Sequence, residues 1–248
     1  MNPPAASSAF RQVARQSLSE SVYQQLRDKI VRRELNAGAA LPSERELAEA
    51  LGVNRGAVRE AIKRLQQAGL VAVRQGGNHQ VLDYLDDAGL ELLPSLLLDR
   101  RGRASPEAVR AIMAMRSALA PDIAAAAAEH GGEELSRVLA ARLLAMREAD
   151  GNTAALQDHC FEFWKALVAA CGNIAFRLAF NSMHKTYRQV WPLMTRVMEA
   201  EFRDFAGLAR IARAVAEGDA ESARAAGRRH VEIGRRALLQ ALEQQENR

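Results

Sequence analysis

LPSERELAEALGVNRGAVREAI, residues 41–62, reads as two short helices joined by a tight turn. Ser43 is a natural N-cap, and Glu46 three residues later completes a capping box in which each side chain reaches the other's backbone. Leu47, Ala48 and Leu51 share the inward face of the first helix, residues 43–50, and Gly52 breaks it within the turn Leu51–Gly52–Val53. Asn54 caps the second helix, residues 54–67, where Val58, Ile62 and Leu65 form the apolar stripe and Gly69 is placed as the stop. Two helices around a short Gly-containing turn are the pattern of a DNA-binding pair.

The flanks extend the same reading. Upstream, a helix begins after Ser17 or Ser19, carries Val22, Leu26, Ile30 and Val31 on one face, and ends at Asn36–Ala37–Gly38. Downstream, residues 71–73 and 79–82 are short β-type segments around Gln75–Gly76–Gly77–Asn78, a hairpin pattern. Three helices and then a hairpin, within about 70 residues, is the order of a winged helix-turn-helix. The third helix displays Asn54, Arg55, Gly56 and Arg59 at its start, and the small Gly56 and Ala57 let a partner's backbone come close. Arginine there can pair with guanine O6 and N7 or clamp phosphate. The competing reading is a helical subdomain whose arginines are merely a solvated face.

Charge distribution agrees with the first reading. The net charge is +4 and the isoelectric point near 9.4. Residues 1–15 contribute +2 through Arg11 and Arg15, and residues 16–84 hold ten Lys and Arg against eight Asp and Glu. Residues 85–248 hold 22 of each, so the whole excess lies in the first third, where an anionic partner is expected. The chain has 48 alanines and only 5% aromatics, a composition that favours helices. Its longest apolar runs fall far short of the ~20 residues that span a bilayer, and no basic-then-apolar leader opens it. Two cysteines make no disulfide scaffold, and a reducing cytoplasm is expected.

Residues 1–15, rich in Ala, Ser and Pro, read as a flexible arm, and residues 16–84 as the DNA-binding domain. From 86 to 244 the pattern is helical throughout, with helices expected near 87–99, 105–130, 133–149, 153–171, 174–198, 200–217 and 219–244. Pro192 should kink or interrupt the fifth, and the alanine run 124–128 marks a close helix contact. The fold class is therefore mainly α, a winged helix-turn-helix followed by an all-α bundle of six or seven helices. No nucleophile elbow, phosphate loop or dinucleotide fingerprint occurs, so an enzyme acting on a CoA ester is a remote competing class.

The ordered match over 41–62, followed by Leu65 and Gly69–Leu70, closely resembles the GntR family of bacterial repressors. The resemblance implies that Arg45 grips phosphate or base and that Asn54, Arg55, Gly56, Ala57 and Arg59 form the recognition-helix tip. It implies that Gln75, Gly76 and Gly77, at the hairpin tip, enter the minor groove. Many relatives carry Ser or Thr where this chain has Asn54, a change that keeps the N-cap.

The bundle resembles the FadR subfamily, whose common members hold a metal through Asp and three His. Aligned on the turns Gly172–Asn173 and Gly218–Asp219, this chain offers Cys160 at the Asp position, Trp164 and Leu208 at the first two His positions, and His230 at the third. One imidazole builds no closed site, and His159 beside Cys160 points about 100° away on a helix, so no metal or other cofactor is expected. The acyl-CoA-responsive branch also lacks these ligands. It is similar here in Ala88–Gly89–Leu90, in the Ala–Cys–Gly–Asn turn and in the spacing of Asn181, Met183 and Tyr187. Arg116, Asn181, Tyr187, Arg188 and His230 are the polar candidates for an effector pocket, with Trp164 and Met183 as apolar wall. The resemblance implies that Arg116 pairs with an effector carboxylate; a structural ion pair is the competing role. The expected protein is a cytoplasmic homodimeric regulator on a near-palindromic operator, with no membrane partner. Its DNA affinity would shift with a fatty acyl-CoA or, alternatively, a small carboxylic acid in the bundle.

Overall fold

A computed structural model describes residues 18–74, 78–98 and 102–246. The chain divides into two compact units between Ser95 and Leu96.

In the first unit α1 (Leu18–Val31), α2 (Glu44–Leu51) and α3 (Arg55–Gln67) precede the strands β1 (Val71–Val73) and β2 (His79–Val81). Val22, Leu26 and Ile30 of α1 meet Val58, Ile62 and Leu65 of α3 in a core closed by Leu70, Val71 and Val81. Each such side chain contributes about 1.5–3 kcal/mol by leaving water. The strands pair antiparallel, Val71 opposite Val81 and Val73 opposite His79. A third extended edge, residues 38–41, was not expected: Gly38 and Leu41 N–H donate to Val81 and His79 carbonyls, both at 2.8 Å. Too short to show alternation, it is held by β2 rather than by its own pattern.

The expected head ended at residue 84, yet residues to Ser95 belong to this unit. A short helix α4 (Tyr84–Asp87) folds back against the α3 terminus, where a Cβ on Gly69 (φ +66°) would collide with the Asp87 carbonyl. The helix expected over 87–99 does not form. Ala88 is extended, a 3-10 turn covers Leu90–Leu92, and only one turn, α5 (Leu93–Leu96), follows. The run ends where Ala88 and Gly89 are both extended, and Pro94 sits in the first turn of α5, where a missing N–H is no loss.

The second unit is an all-α bundle: α6 (Pro106–His130), α7 (Gly132–Glu148), α8 (Thr153–Ala170), α9 (Ile174–Arg188), α10 (Trp191–Val197), α11 (Glu199–Phe202), α12 (Phe205–Ala216) and α13 (Ala220–Glu246). The most extensive pairing is α6 with α13. There the small residues of α6 let the backbones approach, and a Cβ on Gly227 would sit 3.2 Å from that of Ala124. Helix α6 is long and apolar enough by length and composition to cross a bilayer. Its Ile112, Met113, Ile123 and the alanines 124, 125, 127 and 128 are instead buried within the bundle. Two expected helices are divided. Pro192 lies in the first turn of α10, after a break at residues 189–190, and Asp204 caps α12 by accepting from Gly207 N–H at 2.9 Å. Both divisions fall where the chain turns around a cavity.

Candidate functional site

The first candidate surface is the start of α3. Asn54 (φ −76°, ψ 154°) accepts from Ala57 N–H at 2.8 Å, which fixes where the helix begins. Asn54, Arg55, Gly56 and Arg59 are exposed and Ala57 is half-buried, while Val58 and Ile62 anchor the opposite face in the core. Arg59 reaches back to Glu44 at 3.1 Å, and Arg45 faces Glu49 at 3.7 Å. Both arginines are more than 60% exposed, so each pair holds its partner by only ~0–1 kcal/mol. Arg64, by contrast, bonds Glu20 of α1 at 2.5 Å and lies over the Tyr23 ring at 4.2 Å. That arginine clamps α1 to α3 instead of facing a partner. Gln75, Gly76 and Gly77 lie outside the described residues.

The second candidate is a cavity in the bundle. It holds about 670 Å³ of space, its open mouth included, among α6, α8, α9, α10 and α11. Phe161, Phe180, Met183, Trp191, Met194 and Phe202 make most of its wall apolar. Phe161 stacks on Phe180 and His184 with centroids 5.2 and 3.8 Å apart, and Trp191 meets Phe161 edge-on. Burial, with the nearby charges of Arg188 and Lys165, pulls the His184 imidazole below its usual range, so it is neutral near pH 7.

The polar end of this cavity is an ion pair. Arg116 donates from both terminal nitrogens to Glu201, Nη1 to Oε2 at 2.8 Å and Nη2 to Oε1. The two side chains are 13% and 1% exposed. Gly234 N–H donates to the same carboxylate at 3.1 Å, and a Cβ at Gly234 would collide with it. Burial opposes the charge on Arg116, but Glu201 outweighs it and raises the guanidinium above its ordinary value. Removing one member of such a pair strands the other and costs about 3–5 kcal/mol. Among the described residues, Trp164 Nε1 and Tyr187 Oη, both buried, have no acceptor. A donor left unpaired costs ~1–3 kcal/mol. Burial pushes the Tyr187 phenol up to about 12, so it keeps its proton.

Four of the seven expected effector residues therefore converge on the cavity: Arg116, Trp164, Met183 and Tyr187. Asn181 and Arg188 do not; they are exposed on the outer side of α9. They share a helix with Met183 and Tyr187, but the spacing rotates them away from its inward face. His230 lies behind the wall, stacked under Trp164 at 6.0 Å, with Nδ1 3.0 Å from Asp204 Oδ2. Arg116 faces Glu201, the structural ion pair, and not an open space that awaits a carboxylate. Glu201 itself was missed, because an acid on a short helix looks like a solvated residue. Gly234, inside a 27-residue helix, was the available signal that something approaches closely there.

The donor atoms of Cys160, Glu201 and His230 lie within 4.8 Å of one another. This trio does not fit the metal held by common members of the subfamily. Arg116 engages both Glu201 oxygens and sets a full positive charge beside any cation held there. Burial also pushes the Cys160 thiol up, so it stays protonated and is a poor ligand.

Residues 18–81 match the family described as bacterial regulatory proteins, gntR family, and residues 111–233 match the FCD domain. The chain is similar to the HTH-type transcriptional regulator Mce2R of Mycobacterium tuberculosis, 37% identical over 240 residues, or 97% of this chain and 99% of that one. It is also similar to the fatty acid metabolism regulator protein of Edwardsiella ictaluri, 30% identical over 154 residues, 62% of each chain. Among solved structures it resembles that of Lar, described as controlling expression of the Listeria monocytogenes agr system. The TM-score is 0.58 at 20% identity, over 91% of this chain and 99% of that one, a likeness of fold.

Proposed function

The chain belongs to the GntR family of bacterial regulatory proteins, with an FCD domain after its DNA-binding head, and on that basis we propose that it is an acyl-responsive repressor. As a homodimer in the cytoplasm it places one α3 per protomer in successive major grooves of a near-palindromic operator. Arg55 and Arg59 read base edges or phosphate, Arg45 holds phosphate, and Gln75, Gly76 and Gly77 approach the minor groove. A fatty acyl-CoA binds with its chain in the bundle cavity and favours an arrangement of the dimer that no longer fits the half-site spacing.

The observation that carries the effector assignment is the cavity wall, which is built mostly from large apolar side chains. Similarity to a fatty acid metabolism regulator supports the same class. A small carboxylate is the weaker reading, since Arg116 is already paired. The test uses a duplex that the protein selects from a random-sequence pool, followed by fluorescence anisotropy. Long-chain acyl-CoA at micromolar concentration is expected to weaken binding at least tenfold. Unchanged affinity with every chain length would remove the acyl-CoA assignment and leave the DNA-binding one standing.

A further inference from the structure

Asn54 opens α3 with an extended backbone, and its side-chain oxygen is already occupied, accepting from Ala57 N–H at 2.8 Å. We propose that this cap makes Asn54 a donor-only reader of the major groove, whose amide nitrogen selects the acceptor edge of guanine and not adenine. The inference rests on the reading that the start of α3 enters the major groove.

The chemistry follows from what an asparagine side chain has to offer, one acceptor oxygen and two N–H donors on a single nitrogen. Pairing with adenine uses both ends at once, the oxygen accepting from the N6 amino group and the nitrogen donating to N7. In α3 the cap draws the oxygen onto the first turn of the helix, so the two ends are not presented side by side to a base. The amide cannot be turned round to correct this, because a backbone N–H needs an acceptor and the NH2 group is none. Gly56 keeps the oxygen's seat clear: a Cβ there would lie 3.2 Å from Asn54 Oδ1. The residue is exposed, and its nitrogen has no protein partner among the described residues. No acid stands in the first turn of α3, and the exposed Arg55 adds further donors beside Asn54. Guanine meets such a tip with two adjacent acceptors, O6 and N7. Adenine sets an amino donor beside N7, where it would face a donor.

The full-length protein selects duplexes from a random-sequence pool, and base frequencies at each half-site position are compared with those of two variants. Asn54→Asp keeps an oxygen for Ala57 N–H but turns the outward donor into an acceptor. Asn54→Ser keeps the cap on a side chain too short to reach the base. Aspartate and serine cap helices about as well as asparagine, so both variants should keep the wild-type melting temperature. The wild-type protein is expected to select guanine at one half-site position that Asn54→Ser flattens. Asn54→Asp should shift that position to cytosine or adenine, whose amino groups donate. On matched duplexes the wild-type protein should prefer guanine to adenine there about tenfold, and Asn54→Ser less than about twofold. Two results overturn the proposal. One is Asn54→Asp binding every duplex more weakly with all base preferences unchanged, which makes Asn54 a phosphate contact. The other is a base other than guanine at the position that depends on Asn54. The underlying reading fails separately: if both Asn54 variants, Arg55→Ala and Arg59→Ala all bind the selected duplex as the wild type does, α3 is not in the groove.

Discussion

Arg55 and Arg59 are exposed at the start of α3 while Val58 between them is fully buried. Their side chains can be removed without touching the core. Arg55→Ala or Arg59→Ala should each cost about 1–3 kcal/mol of operator affinity with the melting temperature held, as read by anisotropy and thermal unfolding. Unchanged affinity in both would refute the placement of the recognition helix. At this scale the exposed residues at the start of α3 were legible because the cap, the turn and the apolar stripe fix which way each side chain points. The cavity residues were less so. Arg116 and Tyr187 were found, but Glu201, which determines what Arg116 can do, lies 85 positions further along the chain. No local pattern couples residues that far apart.

Element boundaries follow from local chemistry wherever a cap or a breaker is present. Ser43 and Glu46 make the expected box: Ser43 N–H donates to the Glu46 carboxylate at 2.8 Å, and Glu46 N–H donates to Ser43 Oγ at 3.3 Å. The Ser43 hydroxyl also donates to that carboxylate at 2.7 Å, and this bond, with the one from Ser43 N–H, holds the Glu46 carboxyl below its usual range. Ser43→Ala should lower the stability of the DNA-binding unit by about 1 kcal/mol, measured by denaturant unfolding, and Ser43→Thr should restore most of it. Equal stability of the alanine variant would mean that tertiary packing alone holds α2. Asn152, Asn173 and Asp204 start helices in the same way. The missed features are those that depend on a neighbour. The edge at residues 38–41 exists because β2 offers carbonyls, and the helix expected over 87–99 is broken at Ala88 and Gly89, just after α4 packs against Gly69.

At the scale of the whole molecule, the two units differ in what holds them. The first is a small apolar core under a polar face; the second buries charge. Arg116 and Glu201 show this most directly, and the part-buried Asp204 adds a titratable case. Burial would raise its carboxyl, but hydrogen bonds from His230 and from Gly207 N–H outweigh it and hold the group below its ordinary value of 3.8. Its folded value is thus lower than its unfolded one. The stabilisation is fully present above the unfolded value and is lost as pH falls through the folded one. The wild-type protein should therefore melt higher than Asp204→Asn at pH 7, and the gap should shrink as pH drops toward 3. A gap independent of pH would show that the ionised carboxylate is not its source. The sequence by itself determined the winged helix-turn-helix, which residues its third helix exposes and the helical nature of the bundle, because caps, turns and 3.6-residue periodicity are local. It also located all of the excess positive charge in the first third of the chain. Only the tertiary structure decided which polar residues meet in the cavity, and that Arg116 is neutralised there. Burial and ion pairing depend on distances between segments far apart in the chain, which periodicity does not encode.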